Sequence, residues 1–267
     1  MILKGSFYSQ ALEMETGLSV LVPNSSLTTG NHSVVYLLHG LCGRNDDWLH
    51  YSMLPVYAER FDCVFVMPEV ARSFYTDMAY GQQFFRYITQ ELPAVCASVF
   101  QISSRREDTY VIGNSMGGYG ALKSALTYPE TYGGCAAFSY PCLFLKEGLD
   151  AQRDPAKRPH LEKTYGRQLL NDFEAAFGPD LTWKPEHDIL ALAATAAQRG
   201  TTPRIYAACG AQDPMYQENK RFEGEMKRLC LDFSFEAWDG EHNWVFFNSA
   251  LERALGWFFI ETQHEEA

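Results

Sequence analysis

Residues 108–126 read DTYVIGNSMGGYGALKSAL. The first five are β-branched and apolar enough for a short buried strand, and the small, helix-favouring residues from Gly118 onward predict a helix. Strand, sharp turn and helix are the context in which Gly-x-Ser-x-Gly places a serine on a strained elbow. Ser115 would then lie at the helix N-terminus, beside the N–H of Met116. The pattern alone is weak, and a glycine-rich turn in an α/β protein is the alternative interpretation.

The composition is that of an ordinary globular protein. A chain of 267 residues with 46% hydrophobic residues has enough apolar material for a sizeable core. The net charge of −11 argues against a nucleic-acid partner and against binding to an anionic membrane surface. We see no secretion signal in residues 1–6 and no run of about 18 apolar residues that would predict a membrane span. Seven cysteines without a C-x-x-C pair are typical of reduced thiols, mostly core fillers, so we expect a cytoplasmic protein.

Strands and helices alternate along the chain. This predicts the α/β class, as one domain over residues 1–267 with a mostly parallel central sheet flanked by helices. An opening hairpin is expected to turn near Thr16 and Gly17, with a polar loop at residues 24–31 and an acidic tail at residues 261–267. Further strands are predicted at residues 34–38, 63–67, 108–112, 134–139, 204–209 and 232–238. Helices are predicted at residues 46–60, 82–99, 118–126, 214–230 and 244–259.

Residues 141–196 are the least regular part of the sequence. Turn-forming prolines and glycines interrupt them, and helical pieces are predicted only at residues 165–177 and 187–197. We interpret this stretch as an irregular, partly helical insertion over the face of the sheet.

A serine nucleophile needs a base and an acid, which in this topology follow the serine in the order Asp or Glu, then His, on loops after strands. Asp213 follows the strand at residues 204–209, and His242 follows the strand at residues 232–238. The remaining candidates precede the serine, lie in helical or inserted segments or in the tail, or are too near His242; they are His32, His39, His50, His160, His187, His264, Asp188 and Asp239. The alternative roles are a surface-loop histidine and a helix-capping aspartate.

An oxyanion hole needs two N–H groups that are already oriented. Met116 is expected to supply one, and the loop after the strand at residues 34–38 the other, with the Leu41 N–H as the donor. Gly40 would let the backbone turn inward there, and His39 would be structural.

Aromatic residues are concentrated in the loop at residues 72–81. We expect the substrate to contact Gly40, Cys42, Phe74, Tyr75 and Tyr80. Aromatic walls exclude water but narrow a pocket, so this pocket should accept small groups and exclude long ones. The alternative is that these aromatic side chains are ordinary core packing.

Six motifs give the chain a family resemblance. They are HGL at residues 39–41, RSFYTD at 72–77, AYG at 79–81, GNSMGGYGA at 113–121, GAQD at 210–213 and EHNW at 241–244. With these motifs the chain resembles the esterase D-type branch of the α/β-hydrolases, most closely bacterial tributyrin esterases. S-formylglutathione hydrolases, cinnamoyl esterases and the antigen 85 mycolyltransferases are more distant relatives.

The resemblance implies the α/β-hydrolase fold, a Ser115–Asp213–His242 triad, oxyanion donors from Leu41 and Met116, and no metal or organic cofactor. It implies a serine carboxylesterase acting on a small-molecule ester of short acyl chain. With the narrow pocket, kcat/KM should then peak at acetyl to butyryl esters and fall steeply by octanoyl. The net charge and the absence of a long apolar run argue against nucleic-acid and membrane partners, and a homo-oligomer is left open. Formylglutathione hydrolases usually carry histidine where Asn114 and Tyr119 stand, which argues against that substrate. Cinnamoyl or acetyl-sugar esters, acyl transfer to a sugar or alcohol, and a non-catalytic binding module remain alternatives.

Overall fold

The computed structural model describes residues 1–24 and 32–260. Most of the expected polar loop, at residues 25–31, and the expected acidic tail with His264 lie outside these residues. The strands are β1 (Ile2–Ser9), β2 (Met14–Leu21), β3 (Ser33–Leu38), β4 (Cys63–Pro68), β5 (Thr109–Asn114), β6 (Gly134–Phe138), β7 (Arg204–Gly210) and β8 (Phe233–Trp238). The helices are α1 (Asp47–Tyr51), α2 (Leu54–Phe61), α3 (Phe84–Arg86), α4 (Leu92–Val99), α5 (Met116–Thr127), α6 (Cys142–Gln152), α7 (Arg158–Tyr165), α8 (Arg167–Phe177), α9 (Ile189–Arg199), α10 (Tyr216–Lys227) and α11 (Trp244–Phe259).

The strands of the described residues form one sheet in the order β1-β2-β4-β3-β5-β6-β7-β8. β2 pairs antiparallel with β1 and with β4, and all the other pairs, from β4 to β8, are parallel. The expected α/β class with a mostly parallel sheet is therefore confirmed. Because the carboxyl ends of parallel strands meet at one edge, the loops after β3, β5, β7 and β8 converge there.

Hydrophobic cores lie on both faces of the sheet. In β3, Val34, Tyr36 and Leu38 face one core, whereas Val35 and Leu37 face the other. Helices α4, α5, α9 and α10 cover the first face, and α1, α2 and α11 cover the second. Burial on both sides explains why the strand sequences are continuous apolar runs rather than alternating ones.

The opening hairpin turns at residues 10–13, not near Thr16 and Gly17. Both of these residues lie inside β2, paired with Phe7 and Ser6. The Glu91 carboxylate holds the real turn, accepting the N–H groups of residues 10 and 11 at 2.6 and 3.1 Å. A Cβ on Gly17 would lie 3.2 Å from the Asn45 side chain, so this glycine permits a close approach rather than a turn.

Two of the expected helices are interrupted. The predicted helix at residues 46–60 divides into α1 and α2, since Pro55 lacks an N–H and its ring would clash with the Tyr51 carbonyl in a continuous helix. The predicted helix at residues 82–99 consists of α3 and α4 joined by a π-helical turn at Tyr87–Glu91. Pro93 then lies in the first turn of α4, where proline is tolerated.

The insertion is more helical than expected. The sequence pattern does not predict α6 or α7, which with α8 form three consecutive helices after β6. Leu145 and Leu149 are fully buried, and their spacing of four residues was the helical signal in the sequence. Pro159, which suggested a turn, lies at the start of α7 instead.

Candidate active site

Ser115 lies on a strained turn between β5 and α5. Its backbone has φ 53° and ψ −122°, outside the regions that residues with a side chain prefer, which costs on the order of 1–3 kcal/mol. A Cβ on Gly113 would lie 2.2 Å from the Gly117 carbonyl oxygen, and a Cβ on Gly117 would lie 2.3 Å from the Leu38 carbonyl oxygen. Both glycines are therefore required by close backbone approach. The Ser115 N–H donates to the Phe138 carbonyl at 2.7 Å, which holds the turn against β6.

Asp213 and His242 form a hydrogen-bonded pair. His242 Nδ1 lies 2.8 Å from Asp213 Oδ2, and the other carboxylate oxygen accepts the Met215 N–H at 2.7 Å. Burial opposes ionisation of Asp213, but hydrogen bonds from His242, from the Ser139 hydroxyl and from the Met215 N–H outweigh it and lower the pKa of the carboxyl. Because an ionised carboxylate only accepts, Nδ1 carries the proton and Nε2 is left with its lone pair. The alternative role of Asp213 as a cap also holds, through its second oxygen.

Ser115 and His242 line the same polar cavity of about 430 Å³. The His242 side chain is one-third exposed, whereas the Asp213 side chain is fully buried behind it. The remaining lining residues are Gly40, Leu41, Cys42, Gly43, Asp47, Tyr51, Asn114, Asn243, Trp244 and Phe247. The cavity therefore gives solvent and a polar group access to the serine and the imidazole.

Met116 and Leu41, the two residues expected to donate to the oxyanion, both line a cavity with Ser115. Met116 is the first residue of α5, so its N–H has no acceptor within the helix. Leu41 lines both this polar cavity and a second cavity that also contains Ser115 and Met116. His39, before it, is buried: its Nδ1 lies 2.9 Å from the Gly40 carbonyl, and its Nε2 accepts the Val70 N–H at 3.2 Å. Its ring atoms are thus engaged with backbone rather than with a substrate.

The second cavity is apolar and has a volume of about 280 Å³. Besides Leu41, Ser115 and Met116, its lining consists of Phe74, Pro141, Phe144, Tyr165, Leu169, Phe173, Pro214, Met215 and Glu218. Ser115 therefore lies where an apolar and a polar cavity meet. Such an arrangement can hold the two sides of an ester on either side of one nucleophile.

Comparison with known proteins gives consistent similarities. A sequence model of the esterase family matches residues 9–258. An acetyl esterase of Caldicellulosiruptor saccharolyticus is 30% identical over 266 residues, covering 96% of this chain and 97% of the relative. The chain belongs to the esterase family.

Two solved structures from Staphylococcus aureus have the same architecture. The fluorophosphonate-binding serine hydrolase FphF is 26% identical with a TM-score of 0.82, and the S-formylglutathione hydrolase FrmB is 27% identical with a TM-score of 0.81. Each alignment covers 97% of this chain and 98% of the neighbour. The α/β-hydrolase fold and the carboxylesterase class expected from the sequence are thereby confirmed.

Of the five expected substrate contacts of this esterase, three line a cavity that contains Ser115 and two line neither cavity. Gly40 and Cys42 line the polar cavity and Phe74 lines the apolar one. Tyr75 and Tyr80 line neither. Tyr75 is completely buried beneath α5, and Tyr80 is 64% exposed on the far part of its loop, where its N–H donates to the Ala175 carbonyl at 2.9 Å. The predicted wall of three aromatic residues is therefore corrected to Phe74 alone.

Much of the remaining wall of the apolar cavity comes from α6–α8. Phe144, Tyr165, Leu169 and Phe173 lie on these helices, and the rings of Phe74 and Phe173 are 5.2 Å apart. Phe173 and Phe177 are four residues apart, a spacing that predicts a buried helix face but not which cavity the face borders. Tertiary contacts with the loop after β4 make that choice.

Glu218 is a buried carboxylate that none of the sequence motifs indicates. It lines the apolar cavity and accepts the N–H groups of Leu143 and Phe144 at 2.5 and 3.2 Å, so it caps the first turn of α6. Burial raises the pKa of its carboxyl to about 7. In the sequence it is one of several charged positions on an amphipathic helix.

The described residues also give information on metal-binding clusters, membrane-spanning helices and cysteines. Among residues 1–24 and 32–260 there is no cluster of three or more His, Cys, Asp or Glu side chains that could hold a metal ion. No helix of the described chain is long and apolar enough to cross a bilayer. All seven cysteines lie in that part and are free thiols; five are buried, whereas Cys42 and Cys230 are exposed.

Proposed function

We propose that the protein is a serine carboxylesterase for small esters of short acyl chain, with Ser115, His242 and Asp213 as its triad. The observation that carries this proposal is the junction at Ser115. A strained serine at a helix N-terminus shares a polar cavity with a histidine whose tautomer is set by a buried carboxylate, and the same serine lines an apolar cavity.

The reaction follows from the roles of these groups. Ser115 Oγ attacks the ester carbonyl carbon while His242 Nε2 takes its proton, and Asp213 stabilises the imidazolium. The N–H groups of Leu41 and Met116 stabilise the oxyanion of the tetrahedral intermediate. The intermediate collapses as His242 returns the proton to the leaving alcohol, and water then repeats both steps on the acyl-enzyme.

The two cavities divide the ester. The acyl group enters the apolar cavity, and the alcohol leaves through the polar one. The 30% identical acetyl esterase supports a short acyl group. Each carbon of an acyl chain fills roughly the volume of one water molecule, about 30 Å³. A cavity of about 280 Å³ therefore has room beyond a butyryl tail. We therefore retain the expected peak at acetyl to butyryl esters, but expect a gradual rather than a steep decline toward octanoyl.

A second candidate substrate is an S-formylglutathione thioester, which the 27% identical staphylococcal hydrolase favours. The same triad would cleave it, since the thioester carbonyl occupies the position of the ester carbonyl. Comparing kcat/KM for S-formylglutathione and for p-nitrophenyl acetate distinguishes the two. A cytoplasmic location also remains a proposal, consistent with seven free thiols.

Ser115→Ala provides the direct test. Loss of the nucleophile should reduce hydrolysis of p-nitrophenyl acetate by on the order of 10⁶ and abolish labelling by a fluorophosphonate probe. Ser98→Ala is the control and should still be labelled, since Ser98 is an exposed serine whose hydroxyl donates to the Val95 carbonyl at 2.7 Å. Hydrolysis by Ser115→Ala within tenfold of the wild type would refute the triad. A wild type that is neither labelled nor able to turn over any ester would indicate a binding module, and a rate increase on adding an alcohol acceptor would indicate acyl transfer.

A further inference from the structure

Tyr75 connects the apolar cavity to the loop that supplies the Leu41 N–H. It follows Phe74, a wall of that cavity, in the loop after β4. Its hydroxyl donates to the His39 carbonyl at 2.9 Å. The side chain is completely buried, and burial raises the pKa of the hydroxyl well above its ordinary value, so it remains a donor.

The bonded carbonyls of the oxyanion loop, residues 39–41, determine where its N–H groups point. The His39 carbonyl accepts from Tyr75, and the Gly40 carbonyl accepts from His39 Nδ1 at 2.9 Å. In a planar trans peptide the N–H points opposite to the C=O of the preceding residue. The Tyr75 bond therefore holds the plane that carries the Gly40 N–H. The bonds of the Gly40 carbonyl with His39 Nδ1 and with the Gly43 N–H, the latter at 3.0 Å, hold the plane that carries the Leu41 N–H.

Tyr75 itself has little freedom to move. Its carbonyl accepts Lys123 Nζ at 3.1 Å, and its N–H donates to Ser73 Oγ at 3.1 Å. A Cβ on Gly120 would lie 2.4 Å from Tyr75 Cγ, so the ring packs directly on the elbow helix α5. Phe74 and Tyr75 both have left-handed backbones, with φ 49° and 52°. Such strain persists only where the surroundings fix the conformation.

We propose that Tyr75 is a positioning residue of the oxyanion hole. It does not touch the substrate; it holds the His39–Gly40 peptide plane, from which the chain turns into the next plane that aims the Leu41 N–H at the developing oxyanion. This inference rests on the proposed function, because the oxyanion forms only if Ser115 attacks a carbonyl. Misdirecting this N–H by about 1 Å weakens its bond to the oxyanion of the transition state more than its contact with the bound ester, so kcat falls and KM changes little.

Tyr75→Phe tests the proposal, since it removes the hydroxyl and keeps the ring. We expect kcat for p-nitrophenyl acetate to fall about 10- to 100-fold with KM changed less than twofold, because removing an oxyanion donor outright costs about 10² to 10³. The inhibition constant of phenylboronic acid, which forms a tetrahedral adduct on the serine, should rise by a similar factor. Titration with the fluorophosphonate counts the active sites, so kcat can be corrected if part of the variant misfolds.

Tyr119→Phe is the matched control. Its hydroxyl also makes one buried bond to a backbone carbonyl, that of His187 at 3.0 Å, away from the oxyanion loop. This variant should lose comparable thermal stability and keep kcat. Equal losses of kcat in both variants, or a loss in Tyr75→Phe without weaker boronate binding, would overturn the positioning role. Failure of the proposed function would differ, since the wild type would then hydrolyse no ester or Ser115→Ala would remain active.

Discussion

At the scale of single residues, the two oxygens of the Asp213 carboxylate have separate roles. One oxygen fixes the tautomer of His242, and the other caps the start of the segment that leads into α10. The lowered pKa of the carboxyl keeps it ionised in mildly acidic solution, since it loses a proton more readily than an ordinary aspartate. The orientation of the imidazole is therefore retained on the acid side of neutrality.

Asp213→Asn should reduce kcat by about 10⁴, because an amide can donate to Nδ1 and favour the tautomer that has no lone pair on Nε2. Steady-state kinetics with p-nitrophenyl acetate measures the loss, and far-UV circular dichroism checks the fold. Asp239→Asn is the control, since Asp239 lies on the same loop as His242 and its carboxylate accepts a hydrogen bond from the exposed Gln212 side chain at 3.4 Å. If Asp239→Asn proves the more damaging variant, the acid has been assigned to the wrong loop.

The three proposed triad residues could be selected from the sequence because each follows a recognisable strand. The order serine, aspartate, histidine, with one residue after each of three strands, needs only the strand pattern and the topology. The exclusion of Tyr75 and Tyr80 from the cavities could not be predicted in this way. Both lie within six residues of Phe74 on one aromatic loop, and only the packing of Tyr75 under α5 separates their positions.

At the scale of elements, α5 contains a buried cation. Lys123 Nζ donates to the Tyr75 carbonyl and lies 4.2 Å from the centroid of the Phe85 ring. Burial lowers the pKa of this amine to about 8. The elbow helix thus carries a group that loses its proton at moderately alkaline pH in the folded protein, and only at much higher pH when unfolded.

Lys123→Met should remove a pH dependence of stability. Between the folded pKa of about 8 and the unfolded value near 10.4, the unfolded chain holds one more proton, so the wild-type free energy of unfolding gains about 1.4 kcal/mol per pH unit from this group. Below pH 8 both states are protonated and this slope vanishes. Urea unfolding of wild type and variant from pH 7 to 10 measures the difference.

The difference between wild type and Lys123→Met is informative because all other groups titrate in both proteins. Lys163→Met, at an exposed position on α7, controls for the loss of one positive charge. A difference between wild type and Lys123→Met that stays constant from pH 7 to 10 would show that the buried amine does not titrate in this range.

The strands of the sheet could be predicted because the apolar pattern that identifies each strand lies in its own residues. The apolar runs of β3 and β4 show that both faces are buried wherever the covering helices come from. The hairpin turn depends instead on Glu91, about eighty residues further along the chain, which holds residues 10 and 11. A signal from so distant a residue is absent from the local sequence, so the glycine at position 17 suggested the wrong turn.

At the scale of the whole molecule, the sheet holds the reacting groups and α6–α8 form much of the acyl cavity. The Arg72 guanidinium donates to Asp172 at 2.7 Å and connects α8 to the loop after β4. Glu218 connects α6 to α10. Two charged contacts thus fix the inserted helices onto the sheet and hold the cavity open beside Ser115.

Substitutions at Leu169 should change acyl-chain preference without changing the chemistry. Leu169 lies on α8, is half-buried and lines the apolar cavity. Each methylene that fits gains about 0.8 kcal/mol, or roughly fourfold in kcat/KM. Leu169→Phe fills the cavity and should lower the ratio of octanoate to acetate kcat/KM, whereas Leu169→Ala enlarges it and should raise the ratio. A series of p-nitrophenyl esters from acetate to decanoate measures both.

The control for this series is on the other side of Ser115. Tyr51→Ala alters the polar cavity, so it should change the response to the alcohol and leave the octanoate-to-acetate ratio unchanged. The division of the ester between two cavities requires opposite shifts for Leu169→Phe and Leu169→Ala, and no shift for Tyr51→Ala. If Tyr51→Ala moves the chain-length optimum while both Leu169 variants leave it in place, the acyl group occupies the polar cavity, and the orientation of the substrate is the reverse of the one proposed.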